Sequence, residues 1–423
     1  MKKILSIIGG ISILVAPVSS IISCGGDDGN TFNISFVPSI NATDIQNTVK
    51  PLQDKLESYL KAKDPNFTKK VKITTSLNYE AAGSSMKAGK SDLAFLPVNT
   101  YDSFRGESNN DGTYSDAGVL LISSRDGLAA ETNYSAFKDN GVFSDSKGAS
   151  QDLTLESLAN LSMEYNDLLD KNFDLNNKSK EESKLELNSD NINKALYDKN
   201  NQVSYYRSYI FANKDYLSKK EDFNEKNIRE SVKDKDKMAK LIKEAGKSLS
   251  LGRSKTSSGS LLYPLLWMNK TLGIDKPTEL RDIYKSSTEQ SNYVNAAQQV
   301  ADGTVGLALG YADIRYDLKN DLAELQKAFK NTIVIGATTG IPNDGIMYSR
   351  KKVDETLATT LRTAFKEFVK DPSLKEVFDL YGHNDYVGVG NDQTSKEFEI
   401  QRDKIISNNV ENLASIKEIV ESL

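Results

Sequence analysis

The period of the apolar positions changes several times along the chain. Phe32 to Val37 alternates and then runs apolar, which predicts a first core strand. From Ile45 to Lys61 the apolar residues Ile45, Val49, Leu52, Leu56, Tyr59 and Leu60 recur at helical spacing. Val71 to Thr75 reads as a second strand, Asn78 to Lys87 as a short helix, and Ser91 to Pro97 as a third strand with a helix opening at Val98. Strands alternating with helices predict a mainly parallel, doubly wound α/β sheet. Such sheets bind ligands beyond the carboxyl ends of their strands. Tyr79 and Tyr101 each follow a strand closely, where they can either line a cleft or pack as half-buried tyrosines.

Residues 106–200 differ in character. Asn, Asp, Ser and Lys dominate there, with an amphipathic piece at Leu153 to Leu169 and a short strand at Gly118 to Ser123. This pattern predicts an insertion packed outside a lobe, with its charge runs in solvent. Regular elements resume at Tyr205, with a strand to Ala212, a helix over 228–245 and a short strand at Ser248 to Leu251. Helices over Asn292–Asp302, 353–369, 372–380 and 395–422, and strands at Val305–Gly310 and Thr332–Ala337, complete the chain.

The most informative stretch is Ser248 to Pro264. The strand stops at Gly252, a polar loop runs from Arg253 to Gly259, and an apolar helix follows through Leu261, Leu262, Leu265, Leu266 and Met268. The opening N–H groups of a helix lack internal partners and carry the positive end of its dipole. Thr256, Ser257 and Ser258 add hydroxyls there, and Gly259 admits close backbone approach. An anion site and a plain N-cap both satisfy this pattern.

Composition narrows the function. The 423 residues suffice for two lobes, and 38% hydrophobic with 27% charged residues describes a folded body. A net charge of −5 without a basic block excludes nucleic acid as the main partner. One histidine, His383, and one cysteine, Cys24, disfavour metal sites and nucleophilic catalysis, so no catalytic residue, metal or cofactor is expected. Lys2 and Lys3 precede an apolar run from Ile4 to Ile22, the layout of a secretory signal. The run ends at Ile21-Ile22-Ser23-Cys24-Gly25, which resembles a lipobox. Residues 1–23 are therefore expected to be a lipoprotein signal, Cys24 the diacylated anchor, and 24–30 a linker.

Several motifs in order resemble one family, the substrate-binding proteins of phosphonate, phosphite and phosphate ABC importers. They are Asn78-Tyr79-Glu80-Ala81-Ala82, Gly89 to Pro97, Thr256-Ser257-Ser258-Gly259, Ala301-Asp302-Gly303 and Ile341-Pro342-Asn343-Asp344. The resemblance implies a two-lobed periplasmic-binding-protein fold with ligand between the lobes. It implies that Thr256, Ser257 and Ser258 hold phosphorus-bound oxygens, and that Tyr79 and Tyr101 close on the ligand. It further implies that Asp313 and Asp344 hold the ligand's polar groups. Tyr293 stands nearest to where many relatives carry a ligand histidine. The implied partners are a small organophosphorus ligand, an ABC permease and, through the Cys24 diacylglycerol, the outer face of the cell membrane. A thiamine-type or other phosphorylated nutrient and a surface adhesin are the alternatives. The expected lobes are 31–212 with 337–423, and 213–336. Cys24→Ser is expected to abolish acyl labelling and release the protein from the membrane fraction; stable anchoring with an uncleaved N-terminus would point to a transmembrane segment instead.

Overall fold

The computed structural model describes residues 29–37, 45–133, 154–173, 175, 185–255, 257–387 and 395–423. The signal segment, Cys24 and most of the linker lie outside them, as does Thr256. In chain order the strands are β1 (Thr31–Phe36), β2 (Lys70–Thr75), β3 (Leu93–Leu96), β4 (Ala117–Leu128), β5 (Tyr197–Val203), β6 (Tyr205–Tyr206) and β7 (Ser208–Asn213). They continue with β8 (Leu249–Leu251), β9 (Thr288–Glu289), β10 (Leu307–Tyr311), β11 (Thr332–Ala337), β12 (Ile341–Pro342), β13 (Gly345–Ser349) and β14 (Asp385–Val387).

Two sheets form the two lobes. The first runs β14-β4-β13-β3-β1-β2 with β5 added beside β4, and the second runs β11-β7-β10-β8-β9. Parallel pairing is confined to β1 with β2 and β3, and to β8 with β9 and β10. The antiparallel pairs of β13 with β3 and β4, and of β7 with β10 and β11, make both sheets mixed rather than mainly parallel. In the first lobe the helix Ile45–Lys63 lays Val49, Leu52, Leu56 and Leu60 on the sheet. In the second, the helix beginning at Ser258 sits in the core with Leu261, Leu265 and Met268 buried.

The expected boundaries change in three places. Ser208–Asn213 pairs with β10 and β11, so it belongs to the second lobe, not to 31–212. The chain crosses instead at β6 and β12, which pair with each other, Tyr206 opposite Ile341 and Tyr205 opposite Pro342. Within 106–200, β4 is an inner strand of the first sheet, while the helix Leu155–Phe173 packs on the second lobe. There the Asn166 amide donates to the Val334 carbonyl at 2.7 Å and accepts from the Val334 N–H at 3.0 Å. Finally, the helix Ser395–Glu421 buries Phe398 and Ile406 in the first lobe, but Leu413, Ile416 and Val420 in the second. Helical periodicity shows which face a helix buries, not against what.

A buried ion pair fastens the crossing. Arg207, directly after β6, donates from Nε to Glu131 Oε1 at 2.9 Å and from Nη1 to the Thr338 carbonyl at 3.1 Å. The Tyr205 hydroxyl donates to Glu131 Oε2 at 2.7 Å. Removing one member of a buried pair strands the other charge. Glu131→Ala should therefore lower stability by about 3–5 kcal/mol in chemical denaturation. The double change Glu131→Leu with Arg207→Met should recover most of that loss.

Candidate functional site

The hydroxyl turn opens a continuous helical run. Ser257 holds the N-cap position without a capping bond from its side chain, and Ser258–Leu262, Tyr263–Leu266 and Trp267–Thr271 follow without a break, the outer two segments as wide π turns. The Leu262 N–H reaches back five residues to the Ser257 carbonyl at 3.0 Å. Pro264 has no N–H to contribute, which suits it to the second turn. Each serine hydroxyl is an acceptor for a neighbour: Ser260 Oγ donates to Ser257 Oγ at 2.6 Å, and Asn99 Nδ2 donates to Ser258 Oγ at 2.8 Å. Asn99 stands at the start of the helix Val98–Phe104 in the first lobe, so this bond joins the lobes.

Half-buried side chains surround the turn. The Tyr293 hydroxyl lies beside those of Ser257 and Ser260. A Cβ placed on Gly259 would stand 3.0 Å from that hydroxyl and 3.1 Å from Tyr311 Cβ, so glycine here makes room for both tyrosines. The rings of Tyr293 and Tyr311 meet edge to face at 4.6 Å, and those of Tyr311 and Tyr206 at 6.1 Å. The Arg125 guanidinium lies over the Tyr206 ring at 5.0 Å. Tyr79 approaches from the first lobe; burial raises its hydroxyl's ionisation, and the Asp344 charge raises it further. Burial likewise lifts Tyr293 to about 12. All these phenols are protonated donors at neutral pH.

Two carboxyls face this aromatic group. Burial lifts Asp344 to about 6 against the pull of Arg125, and lifts Asp317 to about 7. Neither carboxylate makes an ion pair or hydrogen bond among the described residues.

The structure brings Tyr79, Ser257, Ser258, Tyr293 and Asp344 together, but gives Tyr101 and Asp313 other partners. Tyr101 is buried under the C-terminal helix, its hydroxyl donating to Asp403 Oδ1 at 2.9 Å. It lies one turn inside its short helix; Asn99, nearer the helix start, is the residue that reaches the cleft. Asp313 turns inward. It accepts from Arg315 Nε at 2.9 Å and Nη2 at 2.6 Å, and from the Tyr165 hydroxyl at 2.5 Å. The cause lies one residue earlier: Ala312 has φ of 45°. That left-handed residue breaks the strand alternation that would have put Tyr311 and Asp313 on one face. His383 is buried and bonds Tyr386, and burial lowers it to about 3, so it is neutral. Among the described residues no His, Cys, Asp and Glu group is arranged to hold a metal ion. Sequence reasoning passed over Asn99, Arg125 and Tyr206. Only the position of Tyr206, just after a loop and before a core strand, offered any signal.

A cleft between two mixed sheets, joined by two crossing strands, is the architecture of a two-lobed solute-binding protein. Among solved structures, the Mycoplasma hyorhinis protein Mh-p37, described as a candidate thiamine pyrophosphate transporter, superposes with a TM-score of 0.59. The match covers 89% of this chain and 98% of that one at 14% identity. The binding protein of an ABC phosphonate transporter from Pseudomonas aeruginosa gives 0.44 over 93% and 97% at 14% identity. PhnD1 from Prochlorococcus marinus in complex with methylphosphonate gives 0.45 over 90% and 99% at 11% identity. Comparison with curated protein sequences yields no match. Residues 192–394 match the family model of the periplasmic substrate-binding proteins of phosphonate ABC transporters. No helix among the described residues is long and apolar enough to cross a membrane.

The raised Asp344 carboxyl gives a pH signature. Its folded value of about 6 exceeds the ordinary 3.8, so the fold favours the protonated form. Stability from this group is complete below about pH 4 and is lost as pH rises through about 6. Asp344→Asn should therefore melt higher than wild type at about pH 8, with the difference fading as pH falls from about 6 to 4. A constant offset at every pH would show that Asp344 does not titrate in this window.

Proposed function

We propose that this protein is the lipid-anchored receptor of an ABC importer and binds a phosphonate or phosphate monoester between its lobes. The ligand's oxygens sit on the turn at Thr256, Ser257 and Ser258, against the opening N–H groups of the Ser258–Thr271 run. Its other end faces Asp344, with Tyr79 and Tyr293 on the flanks. Cys24 carries the anchor on the extracytoplasmic face, and the permease receives the ligand.

The hydroxyl wiring carries this reading. A serine has one proton to give and two lone pairs. With Ser258 accepting from Asn99, its proton is left to donate outward, while Ser257 accepts from Ser260 and shares its hydroxyl with Tyr293. An outward hydroxyl beside the opening N–H groups of a helix suits an oxyanion. The ionised or protonated Asp344 suits a ligand with a hydroxyl or cationic end better than bare phosphate. A thiamine-type nutrient is the second reading, favoured by the ring faces of Tyr206 and Tyr311, which can stack on a flat cation.

Hydrogen bonds to charged groups contribute roughly 1.5–3 kcal/mol. Ser257→Ala and Ser258→Ala should each weaken binding about ten- to a hundredfold, while costing the ligand-free protein only about 1 kcal/mol, as for a lost cap. Calorimetry with methylphosphonate, phosphate monoesters, thiamine pyrophosphate and inorganic phosphate checks this. If both variants bind as tightly as wild type, the turn is a helix cap only.

A further inference from the structure

Arg125 lines the site but has no role in the ligand reading above, and it lies outside the span matched by the family model. It is a half-buried guanidinium near the end of β4. Among the described residues it makes no ion pair, and its Nε is buried without a hydrogen-bond partner. Its guanidinium lies over the face of Tyr206 at 5.0 Å. An arginine in that setting is incompletely compensated unless something else enters the cleft.

Strand register places Asp344 beside it. Gly345 pairs with Ile122, and the Ser123 N–H donates to the Asp344 carbonyl at 2.9 Å, so Asp344 stands opposite Ser123. Opposite residues project from the same face, and Arg125 is two residues beyond Ser123, again on that face. Diagonal neighbours of this kind are separated by roughly 7–8 Å. That leaves a positive and a negative group side by side in the cleft, close enough to feel each other but, among the described residues, without an ion pair between them.

An open Arg–Asp pair complements a zwitterion. We infer that Arg125 and Asp344 together bind the α-amino-acid head of the ligand, its carboxylate on the Arg125 fork and its ammonium on Asp344, while the phosphoryl group occupies the serine turn. This rests on the reading of the serine turn given above and narrows it to phosphorylated or phosphono amino acids. The planar guanidinium takes a carboxylate in two parallel hydrogen bonds, which an ammonium on a lysine stem cannot reproduce. Tyr206, under Arg125, holds the fork in place from below.

Three probes separate the contributions: methylphosphonate has neither charge of the head, O-phosphoethanolamine has the ammonium alone, and O-phospho-L-serine has both. Calorimetry on the wild type should find phosphoserine about ten- to a hundredfold tighter than phosphoethanolamine. Arg125→Gln should erase that gap and leave methylphosphonate within about threefold. Arg125→Lys should restore only part of it, and Asp344→Asn should weaken phosphoserine and phosphoethanolamine alike. Unchanged methylphosphonate binding and a melting temperature no lower than that of the wild type show that the variants fold. If phosphoserine binds no tighter than phosphoethanolamine while methylphosphonate binds, the amino-acid head is excluded and the phosphonate reading survives. If the wild type binds none of the three, both fall.

Discussion

The cleft depends on how two short strands cross between two sheets. β6 and β12 are only two residues long each, so their ladder alone cannot hold the lobes in register. The buried Arg207–Glu131 pair supplies the missing constraint. A charge taken out of water must find its counter-charge, and Glu131 comes from the segment between β4 and β5. Satisfying Arg207 therefore draws that segment, the crossing strand and the Thr338 backbone to one point. Asn343 adds to this, donating to the carbonyls of Ser123 at 2.9 Å and Val203 at 3.2 Å. Asp344 follows Asn343 directly, so the residues that hold the crossing also aim the cleft carboxylate.

The cleft itself is built on the opposite principle. In the crossing the charged groups are matched to partners within the chain. In the cleft the groups are held close but left open: the Ser258 proton, two carboxylates and one guanidinium. The tyrosines between them lower the effective dielectric and keep these groups from being fully hydrated. Such an arrangement disfavours the empty state and favours a ligand that restores the missing partners. The single bond from Asn99 to Ser258 ties this chemistry to lobe closure, because it forms only when the two helix starts meet.

The C-terminal helix adds a second tie between lobes. Its first half carries Glu399 and Asp403, which bond Tyr348 and Tyr101 in the first lobe, and its second half carries Asn409, which accepts from Tyr263 in the second. The helix Leu155–Phe173 has a comparable reach on the other side, through Tyr165 to Asp313 and Asn166 to Val334. Both are long amphipathic segments whose partners lie fifty or more residues away along the chain.

Local chemistry made much of this legible in advance. Strand and helix positions follow from period, the helix at Ser258 from its hydroxyl cap, and the α/β class from the alternation of elements. The resemblance carried by the short motifs pointed to the serine turn, Tyr79, Tyr293 and Asp344, which the structure brings close together. What a residue touches beyond its own element was not legible. Tyr101 and Asp313 sit at cleft-like positions in the sequence, yet a one-turn offset buries the first and a left-handed Ala312 turns the second toward Arg315. Arg125 shows the converse: nothing in its neighbourhood along the chain sets it apart, and it gains meaning only when antiparallel pairing brings Asp344 to the same face. The lobe boundary moved for the same reason, since strand Ser208–Asn213 has the same composition whichever sheet accepts it. The sequence by itself determined which segments fold and which polar groups stand at their ends. The tertiary structure decided which of those groups are consumed by burial and which remain open to a ligand, because that depends on contacts between elements far apart in the chain.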